Sequence, residues 1–236
     1  MDRFESLHSI FPWEVGQHLA IVGDTGTGKT TVARRILDWR QYVVAMRSKM
    51  DKEEWPGYQK VKRNARGAME SLRFKHILVA PERQAKLQEF GSVLEKVYAQ
   101  ENWTIFVDDL TTMQRLGPPI HAHPASHKKS LIDELLTDGR SKGITVVTAQ
   151  QLPVDTTKYA IAESYITISF MLNEKYAKVV AEKTNALMGE IITQLGHHDL
   201  AIFDRRTHQV WTGHLNLDSD EFEGEYVEAP RAALRA

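Results

Sequence analysis

The residues Gly23-Asp24-Thr25-Gly26-Thr27-Gly28-Lys29-Thr30, followed by Thr31, have the types and spacing of a phosphate-gripping loop. Glycines at these positions let the backbone curl until successive N–H groups point inward at phosphate oxygens. The N-terminus of a following helix adds a partial positive charge at the same place. Lys29 is then expected to reach the β- and γ-phosphates of a nucleotide, and the Thr30 hydroxyl to ligate Mg²⁺. A second group lies downstream in Thr104–Leu110, TIFVDDL, where apolar residues end in two acids. Asp108 is the expected metal-binding acid, acting directly or through water, and Asp109 would orient the attacking water. Taken alone, two aspartates at a strand end could merely open a loop or cap a helix. Downstream of a phosphate loop they imply ATP or GTP with Mg²⁺.

These groups need strands and helices to hold them. Four short runs rich in β-branched residues predict buried strands: His18–Val22, Tyr42–Met46, Thr104–Val107 and Ile144–Thr148. Ile77–Val79 and Tyr165–Phe170 are further candidates. Helical patterns fall between them at Lys29–Trp39, Glu82–Gln100, Ser130–Asp138 and Asn173–Leu187. Alternation of this kind predicts an α/β fold with a mostly parallel sheet covered on both faces. Leu200–Asp204 and His208–Thr212 flank Arg205-Arg206-Thr207 and predict a terminal hairpin. The phosphate loop follows a strand and opens a helix, the setting in which such a loop works.

Composition narrows the rest. The chain has 236 residues and no cysteine, which excludes disulfides, thiolate catalysis and Cys-ligated metals. Length and 42% hydrophobic content fit one sizeable domain, expected over residues 1–217. Net charge is −1, yet Asp218, Asp220, Glu221, Glu223, Glu225 and Glu228 crowd the end of the chain. Residues 218–236 are therefore expected to be an acidic, flexible tail, on a body with a surplus of bases. No apolar run approaches the ~20 residues of a membrane helix, and the first residues lack a signal-peptide core, so a cytoplasmic protein is expected.

The stretch Leu135–Pro153, LLTDGRSKGITVVTAQQLP, resembles the FtsK–HerA superfamily of ring-shaped DNA-pumping ATPases. Those motors have an Arg, then Gly-Ile before a strand, then Gln-x-Pro after it. Arg140, Gly143-Ile144, Gln151 and Pro153 stand at the same spacing. VDDLTTM resembles the V-D-E-L pattern of the same family, and YITISF stands where the family has its next core strand. The resemblance runs over roughly residues 18–212. It implies a RecA-like P-loop NTPase fold, ATP hydrolysis coupled to movement of double-stranded DNA, and a homo-oligomeric ring of five or six subunits. It implies Gln151 as a sensor of the γ-phosphate and Arg140 as an arginine that enters the neighbouring subunit's site. Gln150 stays open as the sensor, because adjacent strand residues face opposite ways and the sequence leaves the phase unset.

One departure stands out: Asp109 occupies the place of the family's Glu and is a methylene shorter. Glu163, Glu174 or another subunit's acid would have to compensate for its reach. At this length no extra barrel, membrane anchor or winged helix is expected, and such stripped-down members look like the genome-packaging ATPases of double-stranded DNA viruses. A capsid or portal protein is then an expected partner, and host cytoplasm or a virion vertex the expected location. A cellular motor of conjugation or repair is the alternative within the class. From other classes come a P-loop kinase, with Arg205 and Arg206 clamping phosphate, and a nucleotide switch that binds a protein.

DNA would be gripped by basic loops, for which the candidates are Gly117–Lys129, with Lys128 and Lys129, and Gln59–Arg66. Either could equally be a solvated loop. His121, His123 and His127 lack an acidic or Cys partner in their Pro-containing loop and read as ordinary loop histidines. His197 and His198 read as structural.

Overall fold

The computed structural model describes residues 13–47, 55–60, 74–80, 87–113, 130–154, 156–216 and 221–227. Its centre is a run of apolar strands buried on both faces: β1 (His18–Val22), β2 (Val43–Arg47), β5 (Thr104–Asp108), β6 (Thr145–Gln150) and β7 (Ser164–Phe170). Short β3 (Gln59–Lys60) and β4 (His76–Val79) extend one side. On the other, β8 (Asp199–Asp204), β9 (Gln209–Asn216) and β10 (Glu221–Val227) are antiparallel. Sheet order among the described residues is β10-β9-β8-β7-β1-β6-β5-β2-β4-β3. The expected parallel core and C-terminal hairpin are both present. β10 falls in the acidic segment and adds a strand to that hairpin, with Glu225 opposite Thr212.

Helices cover the two faces unequally. α1 (Lys29–Leu37) packs Val32, Ala33, Ile36 and Leu37 against Leu19, Ile21, Phe106, Val147 and Ala149. The opposite face carries α2 (Leu87–Gln100), α3 (Leu110–Met113) and α4 (Leu131–Asp138), packed on Val44, Met46, Ile105, Val107 and Val146. Further along that face lie α5 (Tyr159–Ala162), α6 (Glu174–Lys183) and α7 (Ala186–Ile192), over Ala20, Val22, Ala201 and Phe203. Because strand side chains alternate, each strand residue belongs to one face or the other. That phase decides which groups the nucleotide loop can meet.

Two expectations shift. The single helix expected over Asn173–Leu187 is two, broken at Thr184 (φ −119, ψ −97) and restarted by Asn185, whose side chain accepts from the Met188 N–H. Asn competes well for such a cap, so a new helix starts where a continuous one was expected. Within the pattern expected from Glu82, the described helix runs from Leu87, and residues 81–86 lie outside the described set.

Candidate nucleotide site

All the parallel strands end on one edge, and the phosphate loop lies there because it follows β1. Register fixes its neighbours: Val22 stands beside Gln150, Ala149 beside Asp108, and Asp108 beside Arg47. The loop's geometry follows from its glycines. Gly26 and Gly28 take φ of 82° and 99°, the left-handed region that glycine enters without a Cβ penalty. A Cβ on Gly23 would sit 2.7 Å from Phe170 Cβ and 2.9 Å from Thr27 Oγ1, so only glycine fits between them. The Thr27 hydroxyl donates to the Asp24 carbonyl at 2.9 Å and closes the turn.

α1 then begins with no side-chain cap and no acid in its first turn. Its leading N–H groups face outward with nothing from the chain's own caps competing for an anion. Asp24, Thr25 and Gly26 are exposed, and Gly28, Lys29, Thr30 and Thr31 are half-buried around them. The Lys29 ammonium is folded onto the loop, donating to the Gly23 carbonyl at 2.8 Å and the Asp24 carbonyl at 2.5 Å. It is a cation held where phosphate oxygens are expected, and the uncapped loop fits a polyphosphate.

Asp108 ends β5 in phase with Phe106, on the face that α1 covers. It is 8% exposed and accepts a hydrogen bond from Arg47 Nε at 3.1 Å, Arg47 itself being 3% exposed. Arg47 is in phase with Val43 and Ala45 and so shares that face. Sequence reasoning missed it. The carboxylate is thus held in place by a buried guanidinium, on the same face and at the same edge as the Thr30 hydroxyl. Thr30 and Asp108 carry oxygen donors of the kind that Mg²⁺ takes. Asp109, next along, adopts φ 77° and turns the chain into α3. Asp tolerates this left-handed conformation better than most residues, and such strain concentrates at functional sites.

Alternation fixes the direction of Gln150, the last residue of β6. Gln150 is 1% exposed and in phase with Val146, away from α1; its Oε1 accepts from the Thr156 hydroxyl, and its backbone carbonyl accepts from the Gly23 N–H at 3.2 Å. Gln151 follows directly after the end of β6 and is half-buried.

Other expected residues lie elsewhere. Arg140 is exposed in the 3-10 turn Gly139–Lys142 that leads into β6, its guanidinium 4.8 Å above the Tyr165 ring. That is the opposite edge of the sheet, about 17 Å from the loop at roughly 3.3 Å per strand residue. Arg140 cannot reach its own subunit's loop. Asp133, in the preceding helix, closes a capping box with Ser130, and Arg140 forms no ion pair among the described residues. Glu163 precedes β7 on this far edge, whereas Glu174 opens α6 on the loop's edge.

Arg205 donates to the carbonyls of Ser164, Ile161 and Lys183, and Arg206 pairs with Asp204 at 3.0 Å, all on the far edge. As the phosphate clamps that the kinase alternative requires, they are misplaced. Lys128, Lys129, His121, His123, His127 and residues 61–66 lie outside the described residues; Gln59 and Lys60 are exposed in β3. No group of three metal-ligating side chains occurs among the described residues, nor a helix long and apolar enough to cross a membrane.

No family model matches the chain, and no curated protein matches it in sequence. Solved structures do. The genome-packaging NTPase B204 from Sulfolobus turreted icosahedral virus 2, in complex with ATP-gammaS, aligns over 92% of this chain and 100% of that one, with TM-score 0.62 and 12% identity. B204 described as the DNA-packaging ATPase from Sulfolobus turreted icosahedral virus aligns over the same shares, with TM-score 0.60 and 13% identity. The pCW3 conjugation coupling protein TcpA aligns over 80% of this chain and 58% of that one, with TM-score 0.50 and 13% identity. Likeness at such identity establishes fold, and it is the fold that the FtsK–HerA resemblance implied: this chain has the α/β fold of P-loop NTPases, with a mostly parallel sheet and a C-terminal antiparallel hairpin.

Proposed function

We propose that the protein hydrolyses ATP and uses the cycle to move double-stranded DNA, as the packaging motor of a viral genome. The observation that carries the reading is the one sheet edge shared by the uncapped glycine loop, which opens α1 at Lys29 and Thr30, and by Asp108, which ends β5 in phase with the α1 face. Main-chain N–H groups of residues 24–31 bind the phosphates, and the Lys29 ammonium, released from the Gly23 and Asp24 carbonyls, holds the terminal pair. Thr30 and Asp108 hold Mg²⁺, which supplies charge neutralisation on the phosphate oxygens when bound. Arg47 holds the Asp108 carboxylate in a fixed orientation through its Nε hydrogen bond. Asp109 orients water, and the Gln151 amide senses the terminal phosphate.

The DNA motor is supported by likeness in fold to a DNA-packaging ATPase and by the Arg140 and Gln151 spacing. Arg140, out of reach of its own site, serves a neighbour's in a ring of five or six copies. Lys128 and Lys129 grip DNA phosphates, and a capsid or portal protein docks the ring in the host cytoplasm or at a virion vertex. ATP turnover with and without long duplex DNA tests the whole. Turnover should rise with duplex length and vanish in Lys29→Ala. Turnover indifferent to DNA favours the switch, and turnover that survives Lys29→Ala refutes the site.

A further inference from the structure

The connection between α7 and β8 carries two histidines that the reading above leaves without a task. His198 places Nδ1 3.3 Å from the Thr27 carbonyl oxygen, inside the phosphate loop. His197 packs against it, ring centroids 3.8 Å apart and planes at 72°. His197 is exposed and His198 half-buried. The backbone holds this pair tightly. His198 sits at φ 67°, in the left-handed region that histidine enters more readily than most residues, and its carbonyl accepts from the Leu215 N–H at 3.0 Å. One residue on, Asp199 Oδ2 accepts from the Gly196 N–H at 2.9 Å, and the Asp199 N–H donates back to the Gly196 carbonyl at 3.2 Å. Three hydrogen bonds thus fix the backbone that carries both rings beside the phosphate loop.

Sheet order says which part of a nucleotide would lie there. β5, with Asp108, is on one side of β1, two strands away; β7 and β8 are on the other. The metal-binding acid and the lysine mark the terminal-phosphate end of the ligand. A phosphate chain laid along the loop from that end points its nucleoside toward β7 and β8, where the two histidines stand. The geometry points to the His197 ring as a stacking platform for the nucleoside base, with His198 as the positioning residue that braces it against the Thr27 carbonyl. An imidazole face suits any base, since every base has a π-face, so the platform adds affinity without choosing adenine over guanine.

This inference rests on the nucleotide-site reading, and titration calorimetry separates the two. The ligands are the non-hydrolysable analogue AMPPCP and inorganic tripolyphosphate, each with Mg²⁺, added to the full chain. His197→Ala should weaken AMPPCP about tenfold, within the range of aromatic–base stacking, and leave tripolyphosphate unchanged. His197→Phe, which keeps a ring but loses both nitrogens, should stay within about twofold of the parent for AMPPCP. AMPPCP binding unchanged in His197→Ala overturns the platform. So does an equal loss of both ligands, because the histidine would then be shaping the phosphate loop. Lys29→Ala should lose both ligands; if it loses neither, the nucleotide-site reading fails first.

Discussion

Replacing Arg47 with Met should destabilise the protein far more than the loss of a surface ion pair would. Arg47 and Asp108 are 3% and 8% exposed, and Nε and Oδ2 are 3.1 Å apart, so solvent screens their attraction little. Met fills a similar volume but leaves the carboxylate in the same site short of its guanidinium. Breaking a buried pair in this one-sided way costs about 3–5 kcal/mol, against ~0.2–1 kcal/mol for an exposed pair. In a chain of this size each kcal/mol moves Tm by about 2–4 °C, so the midpoint should fall by about 6–20 °C.

The companion variant carries Asp108→Asn as well. With the charge gone the Met faces a neutral amide, and the double variant should be more stable than Arg47→Met alone by about 1–3 kcal/mol, the signature of coupling between touching residues. Thermal unfolding followed by circular dichroism reads all of this. Mg²⁺ adds an independent arm: if Asp108 is a metal ligand, the cation should raise the midpoint of Arg47→Met more than that of the parent, by taking the place of the missing positive charge. A midpoint for Arg47→Met within about 2 °C of the parent, less than a 1 kcal/mol effect, would refute the reasoning. So would a double variant no more stable than the single one.

Gly23→Ala should fold with a loss of about 1–3 kcal/mol and bind nucleotide poorly, since its Cβ would meet Phe170 Cβ at 2.7 Å; nucleotide titration and unfolding check both halves. Burial lowers the His18 pKa to about 4 from 6.5, and its Nδ1 accepts from the Val146 N–H at 3.0 Å, so the folded state holds it neutral. Protonation favours the unfolded chain: stability is fully present above pH 6.5 and should fall by up to about 3 kcal/mol between pH 6.5 and 4, a slope that urea titrations should find flattened in His18→Asn. Arg140→Ala and Lys29→Ala should each be inactive alone and recover part of the ATPase activity when mixed. Mixed rings that form and stay inactive would show that Arg140 does not act across an interface.

The glycine loop was legible because its chemistry is local: eight consecutive residues dictate a backbone shape, and the strand and helix that frame it are short-range patterns. Asp108 was legible for a similar reason, as an acid ending an apolar run. Arg47 was not, because it is 61 residues from Asp108 and meets it only through the parallel register of β2 on β5. Nothing in VVAMR distinguishes a cation that leaves the sheet from one buried against a carboxylate. The Gln150–Gln151 ambiguity has the same origin, since phase is a property of the sheet and not of the two residues. β10 did leave a signal. In EFEGEYV the acids recur at every second position from Glu221 to Glu225, a strand period that the acidic composition masked.

Strand polarity draws the remaining conclusion about Arg140. In a parallel sheet every strand delivers its C-terminal residue to one edge, which is why a loop after β1, an acid ending β5 and a glutamine after β6 converge without special arrangement. The turns that enter those strands gather on the opposite edge. Arg140 enters β6 there, beside Tyr165 at the start of β7, and Arg205 and Arg206 arrive at the same edge because β8 runs backward. Arg205 is held by three carbonyls and Arg206 by Asp204, whereas Arg140 is exposed and, among the described residues, has an aromatic face beneath its guanidinium. An aromatic face orients the guanidinium while leaving its five N–H donors free to bind elsewhere. A guanidinium supported in that way can meet an anionic partner on another molecule. Placing the loop edge of one copy against the Arg140 edge of the next would add that guanidinium to the Lys29 and Arg47 cations already at the site.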